Sequence, residues 1–355
     1  MPADATRAAL TPSADRLALA VEHLVRLVDA ESLSGAEAPA VEVASAICGE
    51  LDLPARRMFV AEGRDNLLVG PADAPVVLCT HLDTVPPFLP ARRDETHVHG
   101  RGACDAKGVA VAMLHALDLL RREAPGVAAD VACLLVVGEE TDHIGAKAAV
   151  AAGLAPRHVV LGEPCGLRPA VAQKGLLKLS LSATGRAGHS AYPEVGLSAL
   201  HVLLDALHSL RHAALPADPR YGETTLNIGE VHGGLAANVI APDARATVLV
   251  RCAAPVDAVL AAVRALCPPT VALAELSRAE PRPFATLGLD AGPAVPFNTD
   301  AAWLAPTGAE LVLLGPGDMR CAHAAGEQLA IADLADGIAA YAAAAVRLLA
   351  STHTH

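Results

Sequence analysis

The sequence predicts an α/β protein: a mixed, mostly parallel sheet sandwiched by helices, interrupted by an inserted α+β domain. Three observations carry this reading. Short apolar runs alternate with longer helical patterns through the first half of the chain, the rhythm of a parallel sheet with helices on both faces. Near Gln173 the style switches to one-sided alternation, which suits half-exposed antiparallel strands. After Arg282–Phe284 the buried style returns. The simplest organisation is one domain in two pieces, 1–173 and 284–355, with a smaller domain inserted over 174–283.

In chain order, residues 14–29 carry an apolar stripe (Leu17, Val21, Leu24, Val25, Val28) behind Ser13, a helix N-cap. Val76–Thr80 reads as a buried strand, Lys107–Glu123 as a helix and Val131–Val137 as a second strand. Gly145–Ala152 is a short helix and His158–Leu161 a third strand. In the insertion, Leu177, Leu179 and Leu181 alternate with Lys178, Ser180 and Ser182. A helix (Gly196–Leu210), strands at Thr225–Val231 and Arg245–Arg251, a helix (Val256–Leu266) and the strand Thr270–Leu276 complete a small α+β sandwich. Glu310–Leu314 is a strand and Ile331–Leu349 a long helix. The tail STHTH carries no pattern and reads as unstructured.

Composition narrows the function. The chain has 355 residues, 53% hydrophobic and 19% charged, which excludes disordered and collagen-like classes. A net charge of −12 argues against nucleic acid and anionic membrane as partners, and 2% aromatics against base stacking. The apolar runs fall short of the roughly 20 residues a spanning helix needs. The first residues lack the apolar core of a signal peptide, and the eight cysteines form no C-x-x-C pair. They read as reduced thiols in a cytoplasmic protein.

The chemistry lies at the strand ends. His81 and Asp83 follow VVLCT; Glu139 and Glu140 follow VACLLVV; Glu163 follows HVVL; GPG and His323 follow ELVLL. In open α/β sheets ligands bind outside the carboxyl ends of the strands, so distant residues can meet there. Singly each signal is weak. A lone loop histidine accounts for His81, a helix cap for Asp105 in GRGACDAKG, and solvated surface for a Glu pair. But carboxylates directly after apolar strands are costly unless a cation compensates them. In H-x-D, Asp83 can hold the far nitrogen of His81 and fix its tautomer. Together His81, Asp105, Glu140, Glu163 and His323 suit two zinc-like ions bridged by one carboxylate. Two divalent cations against three carboxylates leave about one positive charge, enough to acidify a bound water, whose pKa can fall to about 7. Glu139, left over and one residue from a ligand, is a natural general base.

HLDTVP, GRGACDAKG, GEET, GEP, AGHSAYP and GPG…AH…E occur in this order, from about 15 to 349. The combination resembles the acetylornithine deacetylase, succinyl-diaminopimelate desuccinylase and carboxypeptidase G family of co-catalytic zinc hydrolases. The resemblance implies a zinc-exopeptidase-like sheet with a ferredoxin-like lid over 174–283, through which members commonly dimerise. It implies Asp105 as bridging ligand, His81 and Glu163 on one metal, and Glu140 and His323 on the other. It makes Glu139 the base and Asp83 the residue behind His81. In the lid, His189 (AGHSAYP) matches a residue that reaches the substrate carbonyl, often in the neighbouring subunit's site. Asn238 matches a position that shapes the lid's approach, a turn Asn being the plain alternative. Arg251 resembles the arginine that grips the substrate's α-carboxylate, against a plain surface charge. Thr299, Asp300 and Gly317 fall where the family builds its substrate pocket.

The resulting expectation is a metal-dependent amidohydrolase that removes a small acyl group from an N-acyl amino acid. Zinc would be the metal, with cobalt or manganese compatible. The alternative is an exopeptidase of the same family acting on a dipeptide or C-terminal residue. A homodimer through the lid is expected. Cys79, Cys104, Cys165 and Cys321 read as small packing residues, His97, His99, His115 and His143 as surface or packing residues, and Lys107 as a helix-start residue.

Overall fold

A computed structural model describes residues 10–351, which form two compact units. The first takes the chain up to Val171, Phe284–Gly292 and the residues from Thr299 onward; the second takes Ala172–Pro283 and Pro293–Asn298. The insertion expected over 174–283 thus begins two residues earlier and recruits a short return segment. Lys174 N–H donates to Val295 O at 3.0 Å and Val295 N–H to Ala172 O at 2.8 Å, and Gln173 Nε2 donates to Asn298 Oδ1 at 3.1 Å; these bonds tie Pro293–Asn298 to this unit.

The first unit is built on a six-stranded sheet in the order Ala55–Ala61, Arg64–Val69, Val131–Val136, Val76–His81, His158–Leu161, Glu310–Leu313. The last four are parallel to one another. Every residue of Val76–His81 and Val131–Val136 is buried, so these strands show no alternation and read as continuous apolar runs. The antiparallel hairpin at the other edge was not visible in the sequence. Its outer strand is largely exposed, and a bulge between Phe59 and Ala61 breaks its period. The helix Ala38–Glu50 was also missed, because its alanines give little contrast between faces.

Other elements follow the expectation to within a few residues. Ser13 caps Ala14–Asp29, its hydroxyl accepting the Arg16 N–H at 3.4 Å. Lys107–Glu123 is buried along most of its length, and Ile331–Ser351 packs against it. Beyond Ser351, the expectation for the tail falls outside the described residues. No helix among the described residues is long and apolar enough to cross a membrane.

The second unit is a four-stranded antiparallel sheet in the order Thr225–Gly233, Asp243–Cys252, Gly175–Thr184, Val271–Ala279, with helices Ala199–His212 and Val256–Leu266. Leu177, Leu179 and Leu181 face its core, as their alternation requires. Ala199–His212 starts three residues later than expected because Ser198 is the cap, accepting the His201 N–H at 3.3 Å. The two ends of the insertion lie side by side: Ala172–Gln173 pairs with Arg282–Pro283, and Phe284 N–H donates to Val171 O at 3.0 Å.

Candidate metal centre

The C-terminal ends of the parallel strands bring the expected residues to one rim of the first unit. His81 is the last residue of its strand and pairs in register with Val136, the last of its neighbour. Glu139 and Glu140 follow three and four residues later. One donor atom each from His81, Asp105 and Glu140 fall within 4.8 Å of one another. Asp105 stands between two imidazoles, Oδ1 at 3.2 Å from His81 Nε2 and Oδ2 at 3.3 Å from His323 Nε2. His323 Nε2 also lies 2.8 Å from Glu140 Oε1. Glu163 is buried at the same rim, where the charges of Asp105, His81 and Glu140 act on it.

Local structure explains the placement. Asp105 sits in the turn before Lys107–Glu123, but Ala106 takes the N-cap position with no side-chain bond, so Asp105 is not spent on capping. Asp83 is fully buried and accepts from the Glu139 N–H (3.0 Å), the Glu140 N–H (3.1 Å) and the Ser34 hydroxyl (2.7 Å). His81 Nδ1 lies 3.0 Å from the Asp83 carbonyl, leaving Nε2 to face Asp105. His323 holds φ +62°, a left-handed conformation costly for a non-glycine and frequent at functional sites.

Electrostatics shows what the cluster demands. Burial raises the pKa of Glu139, and Glu163 raises it further; burial and then Asp105 do the same to Glu163. Burial opposes protonation of His81, yet Asp105 and Asp83 override it and hold its pKa well above the ordinary value. His323, bonded to Asp105 and Glu140, is pushed up to about 10. Burial works against ionising Asp105, but its bonds to His323 and His81 keep it well below the usual carboxylate range. The buried carboxylates therefore call for positive charge at this point. Two imidazoles and three carboxylates are a donor set that suits divalent zinc, cobalt or manganese, and a cation would meet that demand through neutral imidazoles.

A second group was not legible in the sequence. Glu139, His143 and Asp300 also gather within 4.8 Å. His143 Nδ1 lies 2.9 Å from Asp300 Oδ1 and 3.8 Å from Glu139 Oε1, and its ring packs 5.4 Å from that of Trp303. His143, read as a surface or packing residue, does pack on Trp303, and its ring also meets Asp300. Lys107 is also more than a helix start: it is buried, its Nζ donates to Ala30 O at 2.6 Å, and burial lowers its pKa to about 8.

The other expected residues are distributed as follows. Thr299 is buried and its hydroxyl accepts the Ala301 N–H at 3.1 Å. Gly317 has φ +88°, and a Cβ there would meet Cys104 Sγ at 2.7 Å. His189, Asn238 and Arg251 belong to the second unit. His189 and Asn238 are neighbours on exposed loops, since Ser190 N–H donates to Asn238 O at 3.0 Å and His189 bridges Val239. Arg251 is half-buried near the end of Asp243–Cys252, opposite Thr225 and Leu176. All eight cysteines are free; Cys79 and Cys104 are buried, Cys165 and Cys321 half-buried.

Comparison with known proteins identifies the family. Residues 77–347 match the model of peptidase family M20/M25/M40. A peptidase M20 domain-containing protein of Schizosaccharomyces pombe is 31% identical over 94% of this chain and 84% of its own. A probable carboxypeptidase of Aspergillus clavatus is 34% identical over 89% of this chain and 79% of its own. The crystal structure of the aminopeptidase PepT from Bacillus cereus shares the fold at a TM-score of 0.76 and 20% identity, covering 96% of this chain and 100% of that one. The chain belongs to peptidase family M20/M25/M40 and is a metallohydrolase of peptide or amide bonds.

Proposed function

We propose that the protein is a metal-dependent exopeptidase that removes a terminal residue from a dipeptide or short peptide. The carrying observation is Asp105 standing between His81 and His323, with Glu140 against His323 and Glu139 one residue away. In this reading His81, Asp105, Glu140, Glu163 and His323 would hold two divalent cations. When bound, such ions acidify water and polarise the scissile carbonyl. Glu139 takes the proton from the attacking water and passes it to the leaving amine. Its buried, carboxylate-rich surroundings raise its pKa, which favours taking up a proton. Asp83 orients His81 and the main chain of both glutamates. His189 and Asn238 approach the substrate carbonyl, Arg251 takes its α-carboxylate, and Thr299, Asp300 and Gly317 line the pocket. A homodimer through the second unit fits the exposed position of His189.

The preference for a peptide over an N-acyl amino acid is supported by the probable carboxypeptidases among the relatives. Deacylation of an N-acyl amino acid uses the same groups and is the competing reading. The deciding experiment is kcat/KM, after loading with zinc, cobalt or manganese, on a dipeptide and tripeptide panel beside N-acetylornithine, N-acetylcitrulline and N-succinyl-diaminopimelate. Peptides should be the better substrates by at least about tenfold, roughly 1.4 kcal/mol in barrier. Faster turnover of any N-acyl amino acid would return the function to deacylation.

A further inference from the structure

We propose that Glu327, in its buried ion pair with Arg101, is a positioning residue that sets the spacing between the segments carrying Asp105 and His323. The inference rests on the metal-centre reading above. Glu327 is 0% exposed and Arg101 2%. One oxygen of Glu327, Oε1, accepts three main-chain N–H groups of a single turn: Gly102 at 2.9 Å, Asp105 at 3.1 Å and Cys104 at 3.3 Å. The other, Oε2, takes Arg101 Nη1 at 2.5 Å. The Glu327 carbonyl accepts the Gly100 N–H at 3.0 Å. Residue 327 is thus bonded to the 100–105 turn by side chain and main chain together.

The turn supplies the reason for a carboxylate at this place. Its N–H groups lie in a tight, glycine-rich bend away from water, where each needs an acceptor. A buried carboxylate needs donors and a countercharge, and the N–H groups and Arg101 provide both. The consequence for the centre is geometric. Asp105 N–H is one of the three donors, so Glu327 holds the main chain from which the carboxylate between the two imidazoles springs.

The same pair grips the opposite segment. Glu327 lies four residues beyond His323, ahead of the strand Gln328–Ala330, which pairs with His97–His99. Arg101 Nη1 also donates to Ala324 O at 3.4 Å, next to His323. His323 keeps its left-handed backbone only if its surroundings hold it there. The 3.3 Å approach of His323 Nε2 to Asp105 Oδ2 is therefore set by a side chain that ligates nothing itself.

The test uses full-length protein stripped with chelator and titrated with Co(II), read by visible absorption, with circular dichroism and kcat and KM on the best peptide in parallel. The variants are Glu327→Gln, Glu327→Asp and Arg101→Lys. Ile47→Ala, in the core of Ala38–Glu50, is the control for plain destabilisation. Glu327→Gln should bind Co(II) about 10–100-fold more weakly, the range for residues that orient ligands, with an altered absorption band. Its kcat should fall while KM stays within about twofold. Glu327→Asp, with the charge kept but the reach shortened, should recover Tm more than Co(II) affinity. Ile47→Ala should lose Tm and keep Co(II) affinity. If Glu327→Gln does not fold, Arg101→Lys carries the same expectation. Wild-type Co(II) affinity and spectrum in the folded variants, whatever their Tm, would overturn the proposal. Failure of the wild type itself to bind Co(II) would instead sink the metal-centre reading.

Discussion

Asp83 and Glu139 are joined through the main chain: Asp83 Oδ1 accepts the Glu139 N–H at 3.0 Å, and its other oxygen takes the Glu140 N–H and the Ser34 hydroxyl. One buried carboxylate therefore aims a proposed ligand and the proposed base together. Asp83→Ala should lower Co(II) affinity and kcat each by about 10–100-fold. Asp83→Asn should fare little better, because an amide donor would have to face one of these N–H donors. Cobalt titration and steady-state kinetics on both variants check this.

Glu139→Gln separates catalysis from folding. Its side chain is buried in a site that raises its pKa, so neutralising it removes a destabilising charge while keeping the shape. Turnover should drop at least about a hundredfold, the lower edge of general-base effects. Co(II) affinity should persist, and the Tm of the metal-free protein should match or exceed wild type. Unimpaired turnover would take Glu139 out of the base role.

Chelation should abolish activity and lower Tm, because the cluster concentrates Asp105, Glu139, Glu140 and Glu163 with two imidazoles as their cationic partners. Ligand binding to the folded state alone stabilises by about 2.7 kcal/mol at a hundredfold excess over Kd. Thermal unfolding with and without EDTA, followed by add-back of zinc, cobalt or manganese, measures both effects. An EDTA-insensitive Tm and activity would contradict the centre.

Acid sensitivity should come from a place far from the chemistry. His23 Nδ1 and His115 Nε2 meet at 3.0 Å between Ala14–Asp29 and Lys107–Glu123. Burial lowers both, His115 to about 3. The unfolded chain binds these protons first, so stability is full above about pH 6.5 and is lost as pH falls toward 3. At pH 5 the His115 contribution alone amounts to about 2 kcal/mol, from about 1.4 kcal/mol per unit. His115→Met should flatten the decline in Tm between pH 7 and pH 5.

Gly162 is a steric hinge of the rim. It precedes Glu163, and its carbonyl accepts the Thr80 hydroxyl at 2.9 Å. A Cβ there would meet Val109 Cγ1 at 2.3 Å and Met113 Cε at 2.5 Å. Gly162→Ala should cost about 1–3 kcal/mol through overpacking, visible as a lower Tm in metal-free and loaded protein alike.

Strand ends were legible because both faces of the parallel strands are covered, which writes them as unbroken apolar runs, and an acid or histidine after such a run stands out. His81, Glu139, Glu140 and Glu163 were all found this way. The outer hairpin was hidden by exposure on its outer strand, and Ala38–Glu50 by alanines that serve either face. His143 was illegible for another reason, as was the pairing of Arg101 with Glu327, although both of these stand in the motifs GRGACDAKG and GPG…AH…E. The contacts span 157 residues for His143–Asp300 and 226 for Arg101–Glu327, and no local pattern announces such pairs. The return of Pro293–Asn298 to the inserted unit rests likewise on hydrogen bonds made across a long stretch of chain.

The closed neck at Val171 and Phe284 makes the main excursion, 172–283, a detour rather than a bridge, with Pro293–Asn298 as a second, short return. Because the chain leaves and rejoins the sheet-bearing unit at touching points, the length of the excursion is decoupled from the strand register on either side. The excursion can therefore be enlarged or trimmed while the rim that gathers Asp105 and His323 stays in place.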